Sequence, residues 1–271
     1  MVVNGVKEVE TKMTKSKNKF YDIKNSDDNN VDIYVYGEII GGTYKWDESD
    51  VTFEDFKDTL ENIDSTKTVN LYINSCGGSV FTTQGIIAML QRVKTKGVTI
   101  NAYIDGIGAS CASFLPMVAD NIYCYNSSIL MVHHPMSCCW GNVNDFNEEI
   151  ELLNKIEDSV MMPLYMSKAK DGVTEEQIKD LIDKESWLNA KEMTDLFNIT
   201  LLEDNKQLVA CVRDKSILNN YKNVPKSILN VVQATNKTED KEDKQEKELQ
   251  AKQKQIEDAL KKAEIFVALE K

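Results

Sequence analysis

The sequence predicts an α/β layer fold with mainly parallel strand pairing, and three observations predict it. Short β-branched and apolar runs recur from Val31 onward. Between them lie stretches whose apolar residues fall at helical spacing, such as Ile86, Ile87, Leu90 and Val93. Strand and helix therefore alternate, the pattern that lays helices on a largely parallel sheet.

Residues 1–30 are polar and rich in Lys, Asn and Asp, which predicts a flexible lead-in with at most a short strand near Phe20–Ile23. Asp32–Tyr36 (DIYVY) suits a strand, which Gly37, Gly41 and Gly42 then break. Thr52–Asn62 predicts a helix: Thr52 caps it, Glu54 and Asp55 fall in its first turn, and Phe53, Phe56 and Leu60 share a face. Val69–Ile73 reads as a strand, Ser79–Lys94 as a helix, Val98–Ile104 as a strand and Ala109–Ala119 as a helix of small residues. Ile122–Tyr125 and Leu130–His133 follow as strands. Phe146–Lys168 predicts a long helix with Ile150, Leu153, Ile156 and Val160 on one side, and Glu175–Asp183 and Ala190–Phe197 predict short ones.

The chain thus divides into a flexible segment 1–30, a folded domain 31–228, and a charged linker with a terminal helix over 229–271. In the last part Leu249, Ile256, Leu260, Ile265 and Leu269 form an apolar stripe, suited either to a solvated helix or to one that docks on a partner. The formal net charge of -12 argues against a nucleic-acid partner, which needs clustered positive charge. The six cysteines include no C-x-x-C pair, so neither a metal site nor any other cofactor is indicated. The first twenty residues lack the apolar core of a secretory signal, and no apolar run approaches the roughly 18 residues needed to span a bilayer. These features predict a cytoplasmic protein with reduced thiols and no membrane partner.

Three segments carry chemistry. The two histidines, His133 and His134, sit together at the end of an apolar strand. Gly106-Ile107-Gly108-Ala109-Ser110-Cys111-Ala112-Ser113 places a serine among tiny residues at a strand-to-helix turn, where N–H groups can favour a developing negative charge. Asn74-Ser75-Cys76-Gly77-Gly78-Ser79 puts paired glycines at another such turn, able to aim N–H groups into a cleft. Taken singly, each is equally compatible with ordinary packing.

In combination, the three segments resemble the ClpP family of serine peptidases. Asn74-Ser75-Cys76-Gly77-Gly78 resembles that family's N-S-P-G-G turn, Gly106–Ala112 its nucleophile segment, and Met131-Val132-His133-His134-Pro135 its M-I-H-x-P segment. The resemblance covers roughly Val31 to Leu202. It implies Ser110 as nucleophile and His133 as base, in register with Pro135. It implies the N–H groups of Gly78 and Cys111 as oxyanion donors. Lys184-Glu185-Ser186-Trp187-Leu188-Asn189-Ala190 resembles the family's acid region and implies Glu185 as third triad member, with Asp183 as the alternative. A cysteine-peptidase reading of Cys111 is disfavoured, because adjacent helical residues point about 100° apart and cannot both face one base.

The resemblance further implies a ClpP/crotonase-like spiral of ββα units, a long handle helix and homo-oligomeric rings, heptamers or double heptamers, acting on polypeptides. Departures are Cys76 in place of the turn's proline, Cys138 and Cys139 read as small apolar fillers, an insertion over Gly41–Asp50, a polar N-terminus and the charged C-terminal extension. These, with Tyr36-Gly37-Glu38-Ile39 and Ile104-Asp105-Gly106, resemble the phage and prophage ClpP-like head maturation peptidases. That subgroup implies an endopeptidase working without an ATPase on capsid or scaffold proteins. The alternatives are a proteolytic subunit fed by an ATP-dependent unfoldase, a catalytically idle scaffold protein, and an acyl-CoA enzyme of the same fold.

Overall fold

A computed structural model describes residues 23–25, 29–41, 52–61, 63–203, 218, 221–226 and 228–229. The terminal helix over 229–271 and most of segment 1–30 and of the Gly41–Asp50 insertion therefore lie outside the described residues.

The expected alternation is present. Strands β1 (Ile23–Asn25), β2 (Asn30–Val35), β3 (Thr68–Ser75), β4 (Thr99–Ala109) and β5 (Asn121–Cys124) line up in that order, and β8 (Thr200–Leu201) lies beside β5. The pairs from β2 to β5 and on to β8 are parallel, and only β1 runs antiparallel on β2. β4 is long enough to serve two neighbours. Asn101–Ile104 pairs with β5, while Ile107–Ala109 pairs with β6 (Ile129–Val132), which in turn holds β7 (Ser186–Asn189) antiparallel.

Period-2 alternation and matched register sort the side chains into rows. Val31, Ile33, Val69, Leu71, Ile73, Ile100, Ala102 and Ile104 are all buried on one face. On the other face Tyr34, Tyr72, Tyr103 and Tyr123 stack across four strands, with ring centroids 4.7, 4.9 and 4.9 Å apart. Two residues earlier runs a polar row. Asn70 donates to Asp32 at 2.8 Å, Asn101 to Asn70 at 3.0 Å and Asn121 to Asn101 at 2.9 Å.

Helix α1 (Phe53–Leu60) starts at Thr52, which forms a reciprocal capping box with Asp55. Helix α2 (Val80–Thr95) starts at Ser79 and buries Ile86, Ile87, Leu90 and Val93. The long helix runs as α3 (Val143–Ile156), one wider π turn (Glu157–Met161) and α4 (Met162–Met166). Pro163 has no N–H to give the carbonyl four residues back, at Ser159 inside the wider turn, and the turn relieves that mismatch. Helices α5 (Glu175–Asp183) and α6 (Ala190–Leu196) follow, each with its own capping box.

Three expectations need correction. Ala109–Ala119 is not a helix: β4 continues through Ala109, and two 3₁₀ turns, Ser110–Phe114 and Pro116–Val118, take the rest, because Pro116 interrupts any α-helical ladder. Among the described residues the first strand is Ile23–Asn25, and Phe20–Asp22 lie outside them. Cys138 is exposed and Cys139 only partly covered, so neither fills a core. Among the described residues no helix is long and apolar enough to cross a membrane.

Candidate active site

The parallel strands β3, β4 and β6 end together at one edge, and each delivers one of the three motifs. Open α/β sheets place their sites at such carboxyl ends. Register explains the meeting. Ala109 on β4 pairs with Met131 on β6, so Ser110 and His133 leave neighbouring strand ends within reach. His133 Nε2 lies 2.7 Å from Ser110 Oγ.

Ser110 sits at φ +54°, a region that costs a residue bearing Cβ. A strained strand-to-turn elbow lifts a hydroxyl clear of the sheet. Two anchors hold it there. Ser113 Oγ donates to the Ser110 carbonyl at 2.5 Å. That uses the only hydroxyl hydrogen of Ser113, so the buried Tyr165 hydroxyl, 2.7 Å away on α4, is the donor to Ser113 Oγ. The other anchor is Gly77, at φ +91°. A Cβ there would lie 2.7 Å from the Ala109 carbonyl oxygen and 2.8 Å from Ser110 Cβ, so only glycine lets the two turns touch.

The residues before the glycines fix the turn. Asn74 Oδ1 accepts from Ile107 N at 3.0 Å, where the β3–β4 register shifts. Ser75 Oγ donates to the Gly37 carbonyl at 2.5 Å and accepts from Gly77 N at 3.1 Å. Ile39 bonds both sides of Gly78, donating to the Gly77 carbonyl at 2.9 Å and accepting from Ser79 N at 2.6 Å. Tyr36 donates to Asp105, joining the two segments that carried the subgroup resemblance. These side-chain roles of Asn74, Ser75 and Tyr36 were not foreseen from the sequence, although the polar residues beside the glycines were visible there. Cys76, where the resemblance implies a proline, has its carbonyl bonded by the Tyr221 hydroxyl at 2.9 Å.

Around Ser110 lies a cavity of about 240 Å³, walled by Gly77, Gly78, Cys111, His133, Met161 and Tyr221 among others. The Thr83 hydroxyl and the main-chain N–H groups of Gly78 and of Cys111 itself favour the charged form of the Cys111 sulfur. Burial outweighs these contacts and pushes the Cys111 thiol up to about 11. At neutral pH it is therefore a protonated thiol and a poor nucleophile. His133 is 7% exposed; burial holds its imidazole below the ordinary value, opposed by the Glu185 charge and reinforced by His134. It is thus neutral at neutral pH.

The two acids occupy different places. Glu185, at φ +50°, acts on His133 through its charge. Its Oε1 is held by the main-chain N–H groups of Lys222 and Asn223, at 2.6 and 2.8 Å, and no hydrogen bond joins it to His133. Asp183 belongs to the neighbouring histidine. It lies 2.9 Å from His134 Nε2, while Glu157 of the wider turn lies 2.6 Å from His134 Nδ1. Among the described residues no cluster of three or more His, Cys, Asp or Glu is placed to hold a metal ion.

Residues 18–196 match the family model described as Clp protease. Among curated relatives, the chain is 27% identical over 135 residues to ATP-dependent Clp protease proteolytic subunit 1 of Salinibacter ruber, covering 49% of this chain and 55% of that protein. It is 26% identical over 151 residues to ATP-dependent Clp protease proteolytic subunit 2 of Treponema denticola, covering 55% and 72%. To subunit 1 of Prochlorococcus marinus it is 28% identical over 151 residues, covering 54% and 73%. The matched stretch thus spans between about half and three quarters of these relatives.

Proposed function

The chain belongs to the Clp protease family of serine-type peptidases, and on that premise we propose that it is an endopeptidase whose reacting groups surround Ser110. The observation that carries the reading is the 2.7 Å contact between Ser110 Oγ and the buried neutral His133. Ser110 Oγ attacks the scissile carbonyl while His133 Nε2 takes its proton. The Gly78 and Cys111 N–H groups serve as the oxyanion donors in this reading. His133 returns the proton to the leaving amine, and water releases the acyl group by the same route in reverse. Glu185 stabilises the imidazolium by charge, as the third member.

The unit that does this is the 31–228 domain, arranged as a spiral of ββα units and assembled into homo-oligomeric rings of seven or two times seven around the sites, in the cytoplasm. The substrates we favour are capsid or scaffold proteins of a phage head, cleaved without an ATPase. The support is the Tyr36–Asp105 junction and the Glu185-Ser186-Trp187-Leu188 segment, which carry the subgroup resemblance. A second reading has its own support: the relatives are named as subunits of an ATP-dependent protease. An unfolded, dye-labelled polypeptide separates these ideas. Cleavage by the protein alone supports the first, and cleavage only with an unfoldase and ATP supports the second. In either case Ser110→Ala abolishes it. Undiminished cleavage in Ser110→Ala overturns the peptidase assignment of this site. Mass measurement of the native assembly gives a multiple of seven chains, and a monomer refutes the ring.

A further inference from the structure

Residues 218, 221–226, 228 and 229 lie beyond every motif that marks the site, yet they reach its three parts. The Tyr221 ring meets His133 edge-on, with centroids 5.3 Å apart and planes at 78°. It meets Trp187 in the same way at 5.9 Å. Its hydroxyl donates to the carbonyl of Cys76, just before the paired glycines, at 2.9 Å. Lys222 and Asn223 donate their main-chain N–H groups to Glu185, and Asn223 Nδ2 donates to the Lys184 carbonyl at 2.9 Å. Leu218 and Ile228 are buried in a small apolar cluster with Cys76, Ile107, Ala109 and Met131, beneath the strand ends that deliver Ser110 and His133.

We infer that residues 218, 221–226, 228 and 229 act as a strap that completes the active site, with Tyr221 a positioning residue for the His133 imidazole and the Lys222–Asn223 pair a clamp on Glu185. This rests on the reading of His133 as the base. Tyr221 covers a flank of the imidazole without crossing to Ser110, which still opens into the cavity. The cover has an electrostatic consequence, since burial is the main influence that keeps His133 unprotonated. The clamp serves a second purpose. Glu185 adopts a left-handed backbone conformation, and the two N–H donors fix the direction of a carboxylate that would otherwise swing free. Anchoring at Cys76 ties base, acid and glycine turn to one short segment.

The chain has only two histidines, which makes the test direct. Isotope-labelled histidine ring resonances are titrated in the full-length protein, with His134→Gln assigning the pair. Tyr221→Ala uncovers the imidazole, so the His133 midpoint rises toward the ordinary value of about 6.5. Tyr221→Phe keeps the ring and loses only the hydroxyl, so it holds the wild-type midpoint. Serine labelling by a fluorophosphonate at pH 7 falls about tenfold or more in Tyr221→Ala and is restored in Tyr221→Phe. An unchanged His133 midpoint in folded Tyr221→Ala overturns the inference. So does faster labelling, which would make the strap a blocking lid. Should Tyr221→Ala lose its melting transition, Tyr221→Val, which keeps an apolar anchor while uncovering the ring, decides the matter by the same midpoint. The titration needs no catalysis. If the wild-type protein fails to label, the peptidase reading falls and the titration still decides on the strap.

Discussion

Removing one hydroxyl, in Ser113→Ala, tests how Ser110 is held. Ser113 gives its hydrogen to the Ser110 carbonyl and takes the hydrogen of Tyr165, whose side chain is fully buried between Phe114 and Phe197. Without Ser113, the Tyr165 hydroxyl is a buried donor with nothing to give to, at a cost of about 1–3 kcal/mol. Tyr165→Phe is milder, at about 1 kcal/mol, because Ser113 keeps its bond to Ser110. The double variant leaves no orphaned hydroxyl and costs less than the sum of the two, with a coupling of roughly 1 kcal/mol. At about 2–4 °C per kcal/mol for a domain of this size, Ser113→Ala lowers the melting midpoint by about 2–12 °C. It also frees the strained elbow at Ser110, so fluorophosphonate labelling slows about tenfold or more, while Tyr165→Phe labels near the wild-type rate. Melting curves and labelling time courses on the four proteins read both effects. Strict additivity, together with wild-type labelling in Ser113→Ala, would refute the reasoning.

Four further outcomes follow from the same geometry. Gly77→Ala forces a Cβ against the Ala109 carbonyl and Ser110 Cβ at φ +91°, so it costs about 2–4 kcal/mol in denaturant unfolding and abolishes labelling. The labelling rate as a function of pH has its acid limb below about 6.5, because burial depresses His133, and Glu185→Gln moves that limb lower still by removing the charge that opposes the depression. For stability the sign is the same. Above about 6.5 the imidazole is neutral folded or unfolded, and as pH falls below that the unfolded chain takes the proton first, so acid titration weakens the fold in wild type more than in His133→Ala. Tyr72→Ala removes the middle of a stack with partners 4.7 and 4.9 Å away and costs about 2 kcal/mol by chemical denaturation.

Local chemistry was what the sequence carried most legibly. Thr52 with Asp55, and the apolar spacing of Ile86, Ile87, Leu90 and Val93, marked helices that are present within a residue or two. The three motifs were legible because each pairs a strand end with glycine or histidine, and parallel register then brings those ends to one edge. The stretch after Ala109 misled because its small residues suit a helix, while Pro116 breaks it into two 3₁₀ turns. Gly108 stays in β4 because it passes close to Leu130 on β6, a contact with no local signature. The tyrosine and asparagine rows needed register, which spacing alone does not supply. The strap was the least visible part. Tyr221 meets a carbonyl 145 residues earlier in the chain, and nothing in its own neighbourhood announces that partner. The motif singled out Glu185, but its carboxylate is held by main-chain N–H groups of Lys222 and Asn223 that no motif marks.

The central claim is that Ser110 is an activated nucleophile paired with His133. The most direct test is labelling of the purified protein by a fluorophosphonate probe, with Ser110→Ala and His133→Ala alongside and the modified peptide identified by mass spectrometry. The account predicts one label per chain, on Ser110, in the wild type, none in Ser110→Ala, and a rate lower by about 10³-fold or more in His133→Ala. A folded wild-type protein that takes no label, or one that labels equally well without His133, would contradict it.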